Sequence, residues 1–205
     1  FLMKFRELGS DKQVEALIVL MAKLPGLGPR SARRAVIKMI EKRKTILEPL
    51  ATVLGSVSEN IKECLQCGNF STTELCNICL DDKRETNVIC IVQDVADLWA
   101  MERSSIFKGT YHVLGSYSST YSGINPEEMK VNKIEERIEK NEIEEVILAL
   151  DSTMNGQTTA HYLIEKLQRT GVRFSSLANG VPVGGELDYL DDGTIRAAYT
   201  ARKNV

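Results

Sequence analysis

Two short cysteine pairs constrain this chain more than any other feature. Cys64-Leu65-Gln66-Cys67 and Cys76-Asn77-Ile78-Cys79 are separated by eight residues. Two tight turns of this kind supply four thiolates, the tetrahedral sulfur set that structural zinc takes. The spacer is shorter than in the common zinc-ribbon pattern, so the loop between the pairs must be compact. Gly68 and Asn69 follow the first pair and suit a turn that wraps backbone N–H groups around sulfur. About 20 residues cannot bury a core of their own, so the metal would drive their folding. Two disulfides, or a single redox CxxC, are the alternatives. The lack of a secretory signal pattern argues against the first, and the pairing of the motifs against the second. The fifth cysteine, Cys90, sits in Val88-Ile89-Cys90-Ile91-Val92 and reads as a small buried hydrophobe.

A chain of 205 residues, 43% of them apolar, can hold one ordinary domain plus smaller modules. No apolar run is long enough for a membrane helix. Phe1 precedes Met3, so the start is expected at Met3 or upstream. The net charge of −2 hides an asymmetry. Residues 1–44 carry 11 basic and 4 acidic side chains, and the remainder 15 and 24. A basic head on an acidic body points the head at a polyanion.

Helical periodicity runs through residues 12–23, 30–43 and about 46–62. From Val88 the pattern changes. Strands are expected at Val88–Val92, Tyr111–Leu114, Val146–Leu150 and Val172–Phe174. Helices are expected at Val95–Glu102, Glu127–Asn141 and Ala160–Arg169. Such alternation implies a mainly parallel sheet with helices packed on it. Residues 115–126 read as a Ser/Tyr/Gly loop of the length that is often functional. The charge run 135–145 reads as a solvated helix face, and Trp99 and Met101 as core or subunit contacts.

Between the first two helices lies Leu24-Pro25-Gly26-Leu27-Gly28-Pro29, a helix-hairpin-helix signature. Gly26 and Gly28 let a nucleic-acid backbone approach closely, and the following helix start favours a phosphate. Arg30, Arg33 and Arg34 occupy its first turns, where a phosphate would also meet a guanidinium. Contacts of this kind fix position and carry no sequence information.

Taken in order, the hairpin, the paired knuckles, the β/α segment and Gly180-Val181-Pro182-Val183-Gly184-Gly185-Glu186-Leu187 resemble the RecR family of bacterial recombination mediators. The resemblance runs from about residue 12 to the C-terminus. It implies an α/β multi-domain fold with four parts. These are a helical DNA-binding head (1–62), a four-cysteine zinc module (63–84), a Toprim-like domain (85–179) and a Walker B-like assembly arm (180–205). Leu187 to Asp192 supplies the acidic end of that arm, and no GxxxxGK[ST] loop accompanies it. The resemblance further implies a homo-oligomer, expected as a tetrameric ring, in the bacterial cytoplasm. Its expected partners are DNA and RecO, and RecF in many bacteria. The expected role is to help load RecA on single strands.

Catalytic Toprim domains hold Mg²⁺ with a glutamate after the first strand and a DxD-type pair after a later one. Here Gln93 replaces the glutamate, and Thr153 stands where the second aspartate of the pair is needed. Asn155 and Gln157 replace acidic residues common in the family. Asp94, Asp97 and Asp151 remain as a weak magnesium set. No catalytic residue is expected, and a Mg²⁺-dependent nuclease or topoisomerase-like enzyme is the alternative. Residues 114–124 also depart from the family's loop, and Ser176 and Asn179 replace common Arg and His. His112 and His161 are expected to be structural or superficial.

Overall fold

The computed structural model describes residues 10–115 and 130–202. The chain divides into two compact units after Asn60. Among the described residues no helix is long and apolar enough to cross a membrane.

The first unit is helical. Helix α1 (Ser10–Met21) and helix α2 (Pro29–Glu41) pack as a hairpin. Helix α2 buries Ala32, Val36 and Met39, spaced so that they share one face. At Lys42 the backbone leaves the helical region (φ −102°, ψ 45°), and a π-helical turn follows at Arg43–Leu47. Helix α3 (Glu48–Asn60) therefore starts two residues later than its periodicity suggests, and it buries none of its apolar residues.

The second unit opens with a small antiparallel pair, β1 (Lys62–Glu63) and β2 (Phe70–Ser71). These strands are too short to show any sequence alternation. A four-stranded parallel sheet follows, in the order β4 (Thr110–Val113), β3 (Val88–Val92), β5 (Glu145–Ala149), β6 (Arg173–Ser176). Helices α4 (Val95–Ser104), α5 (Val131–Lys140) and α6 (Met154–Leu167) connect the strands. The expected Glu127–Asn141 helix lies partly outside the described residues, and the 115–126 loop lies outside them beyond Gly115.

Strand β3 is apolar at every position because both faces of the sheet are covered. Ile89 and Ile91 pack with Ile134 and Ile138 of α5 and Leu163 and Leu167 of α6. Cys90 and Val92 point the other way, to Leu98 of α4, Tyr111 and Val113. Burial pushes the Cys90 thiol up to about 12, as befits an inert core residue.

Three expectations are corrected. Helix α6 starts at Met154, not at Ala160, because Thr153 caps it: its hydroxyl accepts from the Gly156 N–H at 3.1 Å. Of the two roles expected for Trp99, core or subunit contact, the core one is corrected: it is 53% exposed. Arg137 does not belong to a solvated face. It lies three residues after Ile134 and beside Ile138 on the buried stripe of α5, and only 7% of it is exposed. The C-terminal arm also contains a helix, α7 (Asp192–Thr200), capped by Asp191.

Candidate zinc centre and nucleic-acid interface

The four cysteine sulfurs all lie within 4.8 Å of one another. Cys64 Sγ is 3.8 Å from Cys79 Sγ, and Cys67 Sγ is 3.5 Å from Cys76 Sγ. A tetrahedron with Zn–S bonds of about 2.3 Å has edges of about 3.8 Å, so the spacing fits zinc. Backbone N–H groups reach the sulfurs, Asn69 donating to Cys67 at 3.4 Å and Cys76 to Cys64 at 3.3 Å. Cys64, Cys67 and Cys76 are buried. The neighbouring Cys79 side chain brings Cys67 down to about 5, and Cys67 together with burial drives Cys79 up. Burial raises Cys76. Four thiolates this close need a cation among them. These residues hold a structural zinc ion, which cross-links the two turns.

The first knuckle is seated on the sheet. Val113 N–H of β4 donates to the Cys67 carbonyl at 2.8 Å. Gly68 adopts φ +80°, and a Cβ there would come within 3.3 Å of Val113. The Trp99 indole N–H donates to Asn69 Oδ1 at 3.1 Å, while the ring meets Phe70 edge-on at 6.4 Å. Lys130 pairs with Glu63. Arg137 reaches the Gln66 carbonyl from below. None of these attachments can be read from cysteine spacing. The one signal in the sequence is the place of Arg137, three residues after Ile134, on the apolar stripe of α5.

In the helical head, the backbone between α1 and α2 turns through Gly26 at φ +76°, the left-handed region that favours glycine. A Cβ on Gly26 or Gly28 would meet nothing within 4 Å. Gly28 is the N-cap of α2, makes no side-chain cap and precedes Pro29. First-turn N–H groups of a helix have no intrahelical partner. Arg30, Arg33 and Arg34 are exposed on the opening turns, and none has an acidic partner among the described residues. Hairpin glycines and arginines thus share one exposed helix start.

The three aspartates are less well gathered. Asp97 and Asp151 line one cleft of about 310 Å³ at the carboxyl ends of β3 and β5, together with Met101 and Leu177. Asp94 lines a different cleft, beside Gly68 and Phe70. Asp94 and Asp97 also form a capping box at the start of α4: Asp97 N–H donates to Asp94 Oδ1 at 3.0 Å and Asp94 N–H to Asp97 Oδ2 at 3.3 Å. Burial, with Asp94 and Asp151 nearby, raises the Asp97 carboxyl. Among the described residues, the cysteines alone form a group of three or more ligand side chains close enough for one metal. The aspartates do not make the compact oxygen set that Mg²⁺ takes. His112 is buried in β4 and His161 is exposed on α6.

Family models match in the same order as these parts. A RecR zinc finger domain of the four-cysteine type matches residues 61–81, a Toprim domain residues 87–178 and a RecR C-terminal segment residues 180–203. The chain is 56% identical over 197 residues to the "Recombination protein RecR" of Ruegeria pomeroyi, covering 96% of this chain and 99% of the relative. It is 56% identical over 196 residues to that of a Jannaschia species, covering 96% and 98%. To that of Parvibaculum lavamentivorans it is 48% identical over 191 residues, covering 93% and 96%. With the zinc knuckles, the parallel sheet and the C-terminal arm all matched over nearly the whole length, the chain belongs to the RecR family of recombination proteins.

Proposed function

We propose that this chain is a non-catalytic DNA-binding mediator of recombinational repair that works with RecO, and RecF where present, to help load RecA on single-stranded DNA. The observation that carries the DNA-binding reading is the exposed start of α2. There Gly26 and Gly28 leave the backbone open, and Arg30, Arg33 and Arg34 stand without acidic partners among the described residues. A phosphate at that helix start would meet both N–H groups and guanidinium groups. The non-catalytic reading is supported by the chain's own residues around the sheet. Gln93 and Thr153 stand at acidic positions of catalytic Toprim domains, and Thr153 is engaged as the cap of α6.

The division into residues 1–62, 63–84, 85–179 and 180–205 is the functional one in this reading. Assembly into a ring, tetrameric in the family, is supported by apolar side chains left exposed along α3 (Val53, Leu54, Val57) and in the arm (Val183, Tyr189). Several weak heads around one DNA would convert modest affinity into avidity. The bacterial cytoplasm is the matching location.

The test is a salt series. Three phosphate contacts per subunit give a slope of about −2.7 in log K against log salt on duplex DNA. Arg30→Ala with Arg34→Ala should reduce that slope by about 1.8 per subunit and weaken binding, with zinc content unchanged. An unaltered slope would remove the hairpin as the DNA site. No binding even at low salt would favour an adaptor whose basic head meets an acidic protein.

A further inference from the structure

Arg137 is the one described lysine or arginine buried in the second unit, and its surroundings are unusual for a buried guanidinium. Its Nη1 donates to the Tyr111 carbonyl at 2.7 Å and to the Gln66 carbonyl at 3.4 Å, and its Nη2 to Thr110 Oγ1 at 3.1 Å. Nε is buried with no hydrogen-bond partner among the described residues. Every acceptor is neutral, and among the described residues no carboxylate forms an ion pair with Arg137. An isolated buried cation is strongly unfavourable unless another charge offsets it.

The offsetting charge is next door. Gln66 lies between Cys64 and Cys67 inside the first knuckle. Zinc with four thiolates carries a formal charge of about −2. Burial lowers the pKa of Arg137, and the four cysteines push it back up. We infer that the Arg137 guanidinium is the built-in counter-charge of the zinc–tetrathiolate centre, a positioning residue that sets how tightly the centre holds its metal. The dependence is mutual by linkage. Zinc loss leaves Arg137 buried without its partner charge, so the sheet beneath the knuckle is destabilised as well. This rests on the zinc centre and not on the DNA-binding reading, and its test uses no DNA.

Zinc transfer from the purified full-length chain to a colorimetric chelator measures the effect. Arg137→Gln should bind zinc roughly tenfold more weakly, the usual scale for a lost partner behind the ligands. Arg137→Lys keeps the charge without the planar fork and should recover most of the affinity. Thr110→Val removes one hydrogen bond without touching the charge and should stay near the parent. The rise in Tm on adding zinc to apo-protein should also be larger for the parent than for Arg137→Gln. Equal zinc affinity in the parent and Arg137→Gln overturns the inference, as does a lysine variant as weak as the glutamine one. If the glutamine variant does not fold, the lysine variant decides alone: near-parent affinity supports the counter-charge, and a roughly tenfold loss overturns it.

Discussion

Gly156 has no side chain because none fits: a Cβ there would lie 2.0 Å from the Asp151 carbonyl oxygen. That contact lets α6 start close behind β5, with Thr153 as its cap. Gly156→Ala should therefore cost about 3 kcal/mol, since a rigid backbone atom must give way. Thermal unfolding would show it as a fall of roughly 10 °C in Tm; an unchanged Tm would mean the Asp151 turn yields freely. Residues differ in how legible they are. Cys64, Cys67, Cys76 and Cys79 announce themselves because metal chemistry demands a residue type at a spacing. Arg137 does not, because a charged residue in a charged run (Glu135-Glu136-Arg137) looks solvated until the neighbouring helix turns are known to be buried. Asp94 and Asp97 mislead in the opposite direction. Their spacing suits metal binding and helix capping alike, and here they cap.

Elements were legible where both sides of the argument agreed. Strand β3 falls at Val88–Val92, as its unbroken apolar run predicts, because the helices on both faces need five apolar positions. The β1–β2 pair and the knuckle's seat on β4 were not legible, since backbone bonds such as Val113 to Cys67 leave no trace in side-chain pattern. One contact between elements carries a pH signature. Glu102 of α4 accepts from both terminal nitrogens of Arg84, beyond the second knuckle, and from the Tyr111 hydroxyl at 2.8 Å. The Arg84 guanidinium holds its carboxyl below the usual range. A depressed carboxyl stabilises the fold fully above its unfolded pKa, near about 4.3, and the contribution fades as pH falls through the folded value. Glu102→Gln should thus cost about 2 kcal/mol at neutral pH. Its Tm deficit against the parent should hold down to about pH 5 and narrow below about pH 4. A deficit that stays constant through acid pH would show that Glu102 acts by packing and not by charge.

The whole molecule comprises a basic helical head and an acidic body built of a zinc knuckle fastened to a parallel sheet. The order of these parts was legible from four motifs read together, and the family match bears out the resemblance and the α/β multi-domain fold. The function of the head has its own direct test. Purified protein is mixed with labelled gapped DNA and Mg²⁺ across a salt series, and the products are run on native and denaturing gels. Retardation that weakens steeply with salt, while every strand stays at full length, is the predicted result. New shorter strands, growing with time and Mg²⁺, would contradict it: the acids around the sheet would then catalyse, and a Toprim nuclease would replace the mediator.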